Sequence, residues 1–235
     1  MLDFKLQPAW TSQNLNSGSQ VNKLGVMTEN GPADKFRLFV AITVPDAVRE
    51  EVLRVQREWQ PLAPREVVRW TKPEQFHLTL RFLGDVASVQ VAGLQGSLCA
   101  TCAGTPPLHL RAQGVGFFPY ARSPRVIWVG INDKENRLAA FQKKIESAIQ
   151  SYTAEQGGDQ FTGHVTLGRF KQYKHIAIRE LVDRAESVKN RLFGEWTARE
   201  VEIIRSELLP AGPRYTSLAV CKLGQQLNQA ETFLL

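Results

Sequence analysis

The stretch Phe76-His77-Leu78-Thr79-Leu80-Arg81-Phe82-Leu83 decides how this chain is read, because its centre recurs as His164-Val165-Thr166-Leu167. Both tetrapeptides alternate polar and aliphatic residues, the period of a strand with one buried face. His77 and Thr79 then point one way and Leu78 and Leu80 the other, and the second motif sets His164 and Thr166 against Val165 and Leu167. Imidazole and hydroxyl lie about 7 Å apart along such a strand. With ordinary composition, two such tetrapeptides among four histidines arise in roughly one chain in a thousand. The pair is therefore read as a site rather than as two packed histidines.

Each motif closes a similar unit. Phe36 to Val44 is a near-continuous apolar run that predicts a buried strand, and Pro45-Asp46 opens a helix reaching about Gln60, with Val48, Val52, Val55 and Trp59 on one stripe. A short strand near Val67 to Trp70 precedes the first motif. In the second half a strand over Arg125 to Ile131 leads to a helix from about Asp133 to Tyr152. Leu138, Phe141, Ile145, Ala148 and Ile149 mark that helix's buried face, and Phe161 to Phe170 carries the motif. Arg37 to His77 spans 40 residues and Arg125 to His164 spans 39, which points to an internal duplication.

A helix near Val86 to Cys102 and a strand pair within Leu108 to Phe118 are expected between the units. A helix over Ile178 to Arg191 and strands near Ala198 to Leu208 and Tyr215 to Leu223 are expected after them. The fold expected is α+β and bilobal: two pseudo-twofold-related lobes of mainly antiparallel sheet backed by helices, with a central cleft carrying both motifs. Residues 1–34, rich in Ser, Asn, Gln and Gly, are expected to be a flexible N-terminal extension, and residues 35–235 a single bilobal domain.

A formal charge of +6 and a pI near 9.4 favour an anionic partner such as nucleic acid. There is no apolar run of 18 residues and no secretory pattern at the N-terminus, so a cytoplasmic protein that does not engage membranes is expected, acting as a monomer. Three cysteines do not make a disulfide framework. Cys99 and Cys102 form a C-x-x-C pair but also an apolar stripe with Leu98 and Ala103, and buried thiols in a reducing compartment are the expectation.

Two imidazoles and two hydroxyls suit the cleavage of a phosphodiester with an alkoxide leaving group. One neutral base must deprotonate the attacking water or hydroxyl, and one cationic acid must protonate the departing oxygen; histidine does both near neutral pH. The threonine hydroxyls can donate to the non-bridging phosphate oxygens between them. No metal or other cofactor is needed, and no Asp, Glu or Cys stands at ligand-like spacing beside either histidine.

With these residues the chain resembles the 2H phosphoesterase superfamily, and within it the RNA 2′,3′-cyclic phosphodiesterase or 2′-5′ RNA ligase branch. The resemblance runs from about Phe36 to the C-terminus and includes Arg37-Leu38-Phe39-Val40-Ala41-Ile42, Phe82-Leu83-Gly84, Arg125-Val126-Ile127-Trp128 and Arg169. It implies hydrolysis of a 2′,3′-cyclic phosphate RNA end to a 2′-phosphate, with His77 as proton donor to the leaving 3′ oxygen and His164 as the base that activates water. Thr79, Thr166 and Arg169 would bind the phosphate, and Phe39 and Phe82 would flank the nucleotide. The reverse reaction, 2′-5′ ligation, is implied by the family name. One departure is Gly163 before the second motif, where a proline is common; it is expected to loosen the strand entry.

Other features carry less. His109 and His175 lack the motif and are expected on the surface or in strands, and Gly114-x-Gly116 reads as a turn or a close backbone approach. Arg65, Arg69, Lys72, Arg81, Arg122, Arg125, Arg169 and Lys171, interspersed with Trp70, Phe117, Phe118 and Tyr120, form a candidate RNA track. The competing functions are a phosphodiesterase for a small cyclic nucleotide, which would use the same four residues, and an RNA-binding module without turnover.

Overall fold

The computed structural model describes residues 34–63, 65–158, 160–171, 175–210 and 212–225. The expectation for residues 1–33 lies outside them. The chain runs β1 (Lys35–Thr43), α1 (Asp46–Trp59), β2 (Val68–Trp70), β3 (His77–Ala87), α2 (Val91–Ala103), β4 (Leu108–Phe118), β5 (Val126–Asn132), α3 (Arg137–Ile149), β6 (His164–Phe170), α4 (His175–Ser187), β7 (Leu192–Ala198), β8 (Glu200–Leu209) and β9 (Gly212–Lys222). The strands form two antiparallel sheets, one ordered β3-β1-β8-β9 and the other β2-β6-β5-β4-β7. Strand β3 lies beside β1 in one sheet as β6 lies beside β5 in the other, so the duplication seen in the sequence is a duplication of architecture.

The two halves of the chain are nevertheless not the two lobes. Helix α1 follows β1 but packs on β7 of the second sheet, whereas α3 follows β5 but packs on β3 of the first. Strand β4 likewise joins the second sheet, and β8 and β9 return to the first. Each half thus lends one helix and two strands, β2 and β4 from the first and β8 and β9 from the second, to the opposite lobe. The result is one continuous apolar core that includes Val52, Trp59, Leu78, Leu80, Phe141, Ile145, Val165 and Leu167. The helix stripes behave as the spacing predicts: Val48, Val52, Val55 and Trp59 are buried on α1, as are Leu138, Phe141, Ile145 and Ile149 on α3.

Several boundaries differ from expectation. Strand β3 continues to Ala87, so α2 begins at Val91 rather than near Val86. Leu108 to Phe118 is one strand, not a pair; a bulge at Gly114, with φ +69°, replaces the expected turn. Helix α4 stops at Ser187, and the residues that follow form β7, a strand absent from the sequence reading.

The cysteines also depart from the reduced-thiol expectation. Cys99 of α2 is disulfide-bonded to Cys221 of β9, because α2 packs directly on that strand. Cys102 is the free, buried member of the C-x-x-C pair, and burial pushes its thiol up to about 12. Among the described residues, no helix is long and apolar enough to cross a membrane.

Candidate active site

Each motif strand buries its aliphatic residues and leaves its polar pair partly accessible: Leu78, Leu80, Val165 and Leu167 are buried, while His77, Thr79, His164 and Thr166 are half-buried. Both strands then depart from simple alternation at the same place. The pairing of β1 with β3 skips Leu80, and that of β5 with β6 skips Leu167. A bulge of this kind shifts the residues beyond it onto the other face. Phe82 therefore lies opposite Phe39, on the face that carries His77 and Thr79, and Arg169 joins the face of His164 and Thr166.

The two histidines are held alike. Nδ1 of His77 lies 2.7 Å from the carbonyl oxygen of Gln75, and Nδ1 of His164 lies 2.8 Å from that of Thr162. A carbonyl only accepts, so each Nδ1 carries the proton and each Nε2 is left with its lone pair. Burial drives His77 down from the ordinary histidine range to about 4; the bond to Gln75 works the other way, and the positive charges of His164 and Arg169 add to the lowering. His164 is lowered in the same way, first by burial, against its bond to Thr162 and with Arg169 adding to the effect. Strands β3 and β6 contact each other, which brings the two motifs close, and the charges of His164 and Arg169 are felt at His77.

The walls of the cleft are aromatic, but differently on each side. Phe39 stacks at 4.8 Å on His77 and Tyr215 meets the same ring edge-on at 5.4 Å. Phe39, Ala41 and Ile204, with Tyr215 against them, form a small apolar cluster separate from the main core. Across the cleft, Phe118 contacts His164 edge-on at 4.9 Å, with Trp128 tilted at 6.3 Å. Gly116 is what admits Trp128: a Cβ there would sit 2.3 Å from the indole. Gly163 is set against β5: its carbonyl accepts from Ile131 N at 2.8 Å, and a Cβ there would lie 2.5 Å from the Ile131 carbonyl oxygen.

Charge gathers around Tyr215. Its hydroxyl is raised by burial, against the pull of Arg169, Arg37 and Arg69. Arg169, still in contact with solvent, is lowered by desolvation and by Arg69. Sequence spacing pointed to His77, Thr79, His164 and Thr166, and the family resemblance added Arg169, Phe39 and Phe82; the register sets each of them on the face of its sheet that carries a motif pair. The sequence reading missed Tyr215, and it placed Arg37 and Trp128 only within family-like strings.

Arg81 does not belong to the candidate RNA track. The bulge at Leu80 turns it inward, where it is 6% exposed and donates to Gln150 Oε1 at 3.2 Å and to the Glu155 carbonyl at 2.5 Å. Phe117 faces the core as well. His109 is exposed on β4 and bonded to Thr197, and the side chain of His175 lies outside the described residues. Among the described residues, no three His, Cys, Asp or Glu side chains cluster so as to hold a metal ion.

The family model described as LigT like Phosphoesterase matches twice, over residues 42–128 and 129–215, so that each match contains one motif. The chain belongs to the LigT-like phosphoesterase family. As a LigT-like phosphoesterase it is 32% identical over 185 residues to the RNA 2′,3′-cyclic phosphodiesterase of Archaeoglobus fulgidus, covering 79% of this chain and 99% of that one. It is 30% identical to the protein of that name from Methanothermobacter thermautotrophicus, over 80% and 100% of the two chains. The crystal structure of TT0787 from Thermus thermophilus superposes with a TM-score of 0.66 at 26% identity, covering 81% of this chain and 99% of that one. The fold is also that of E. coli LigT complexed with 3′-AMP, with a TM-score of 0.65 at 24% identity over 82% and 100% of the two chains.

Proposed function

We propose that this LigT-like phosphoesterase hydrolyses RNA 2′,3′-cyclic phosphate ends to 2′-phosphates by two-histidine acid/base catalysis. The observation that carries the proposal is the matched tethering of the two imidazoles on contacting strands, each with Nδ1 engaged by a backbone carbonyl and its Nε2 lone pair uncommitted to that bond. Relatives named for this activity align over nearly their whole length, which supports the choice of substrate.

In this reading the cyclic phosphate lies between the two histidines with its non-bridging oxygens on Thr79, Thr166 and Arg169. The Nε2 lone pair of His164 takes a proton from water as the water oxygen bonds to phosphorus. The bond from phosphorus to the 3′ oxygen breaks, and His77 supplies the proton that oxygen needs, leaving a 3′ hydroxyl and a 2′-phosphate. The cleft keeps His77 neutral near pH 7 when it is empty. The bound phosphodiester is an anion, and its charge raises proton affinity at the ring beside it. Substrate thus brings with it the condition for His77 to act as an acid.

Phe82 offers aromatic surface to the terminal base, whereas Phe39, 2% exposed, lies packed behind it and His77 rather than flanking the nucleotide as expected, and Arg37 and Arg69 extend the positive charge toward the rest of the strand. In this reading the two imidazoles carry both proton transfers without a metal, and turnover is expected to persist in EDTA. The same chemistry run backwards with a 5′ hydroxyl in place of water gives 2′-5′ ligation, which the far higher concentration of water disfavours. Supplying an oligonucleotide with a 2′,3′-cyclic end alongside a cyclic mononucleotide tests the substrate class. Faster turnover of the oligonucleotide is expected, and exclusive turnover of the mononucleotide would refute the RNA assignment.

A further inference from the structure

We infer that Gln56 and Gln142 are positioning residues, each fixing the motif strand that the other half of the chain contributes. The inference rests on the two-histidine reading of the cleft for its functional consequence, but its geometry stands independently. Leu80 and Leu167, the fourth residues of the two motifs, are the ones skipped when β3 and β6 pair with β1 and β5. Each bulge carbonyl is met by a buried glutamine amide. Gln142 Nε2 donates to the Leu80 oxygen at 3.3 Å, and Gln56 Nε2 donates to the Leu167 oxygen at 2.9 Å.

The two glutamines are the counterparts of each other, on the last turns of α1 and the middle of α3, and are 2% and 7% exposed respectively. Apart from Arg81 and Thr105, they are the buried polar side chains of the described core. An amide at that depth is costly unless its hydrogen bonds are made. Gln56 completes them on the Thr71 carbonyl at 2.7 Å, and Gln142 on Glu146 Oε2 at 3.3 Å.

The bonds are crossed with respect to the chain. Gln56 precedes the first motif yet grips the strand of His164, and Gln142 belongs to the second half yet grips the strand of His77. What each grips is the bulge that sets the phase between the His-Thr pair and the residue beyond it, Phe82 on one strand and Arg169 on the other. Loss of the amide removes the partner of a buried carbonyl, and the bulge is the part of the strand free to relax. A displacement on the order of 1 Å at the reacting groups is enough to cost about a hundredfold in rate.

The test is Gln56→Met and Gln142→Met, which keep side-chain length and remove the donor. Imidazole ring signals of the folded variants are followed by NMR at one pH, and kcat and KM are measured on an RNA ending in a 2′,3′-cyclic phosphate. The expected pattern is crossed: Gln142→Met moves the ring signals of His77 and leaves those of His164, and Gln56→Met does the reverse. In both, kcat should fall between about tenfold and a hundredfold with KM changed far less. Should the methionine variants not fold, Gln56→Asn and Gln142→Asn, which withdraw the amide by one methylene, are read in the same way. Ring signals that stay in place, or that move equally at both histidines, would overturn the inference. If the wild type does not turn over the RNA, the functional proposal fails while the crossed ring signals still decide the positioning role.

Discussion

Phe82 and Arg169 are structural counterparts: each follows the bulge at the fourth residue of its motif, Leu80 or Leu167, and returns to the face that carries its histidine and threonine. The duplicated strands therefore present unlike groups at equivalent places, an aromatic ring on one side of the cleft and a guanidinium on the other. Phe82 is 41% exposed, with its ring 5.9 Å from that of Phe39, as suits a surface waiting for a flat partner.

Removing either one should separate binding of the base from binding of the phosphate. Phe82→Ala is expected to raise KM with kcat little changed, at a cost of about 1–3 kcal/mol in binding for a lost stacking contact. Arg169→Ala should lower kcat/KM by a comparable free energy and make the remaining activity less sensitive to salt, because a charge-assisted contact to phosphate has gone. Steady-state kinetics at two ionic strengths distinguish the two outcomes.

The histidines make stability depend on pH. Both fold into a cleft that lowers their proton affinity, so between the ordinary histidine value of 6.5 and about 4 for His77 the unfolded chain binds more protons than the folded one. The stabilisation is present in full above pH 6.5 and is lost as pH falls through that window. Urea unfolding followed from pH 7 to pH 4 should show a declining midpoint, with a shallower decline in His77→Gln. Inorganic phosphate, by occupying the cleft, should raise the titration midpoints of both rings when they are followed by NMR.

Gly163 offers a test of how tightly the second motif is mounted. A Cβ at this position would stand 2.5 Å from the Ile131 carbonyl oxygen, which is part of the backbone and cannot swing aside. Gly163→Ala should destabilise the fold by about 1–3 kcal/mol through overpacking. Activity should fall as well, since the displaced backbone leads straight into His164. Chemical denaturation and turnover measured on the same preparation check both effects.

The bond between Cys99 and Cys221 closes a loop of 122 residues and ties α2 to β9 on the helix side of the first sheet. Cys99→Ser is expected to cost about 2–4 kcal/mol of stability. The cleft lies on the opposite face of that sheet, so turnover at moderate temperature should be unchanged. Melting with and without a reductant, beside an activity assay, provides the measurement.

Much of this site was legible because its decisive residues obey simple periods. His77 with Thr79 and His164 with Thr166 follow the strand repeat, and the buried faces of α1 and α3 follow the helical one. What escaped were the places where a period breaks or where distance along the chain is undone by packing. Counting by twos puts Arg81 beside His77, but the bulge at Leu80 buries it. Tyr215 lies on the last strand, and only the return of β8 and β9 to the first sheet brings it to His77. Cys221 reaches Cys99 by the same route. Strand β7 is an edge strand whose partly exposed residues do not alternate cleanly, which is why its pattern did not stand out.

His77 and His164 are proposed to perform acid/base chemistry together on a cyclic phosphate end. Turnover of an RNA bearing a 2′,3′-cyclic phosphate, measured for the wild type, His77→Ala and His164→Ala in the presence of EDTA, tests it most directly. The wild type is expected to yield a 2′-phosphate product and each variant to lose about 10²–10⁴ in rate, with both variants folded. Wild-type rates in either variant would contradict it.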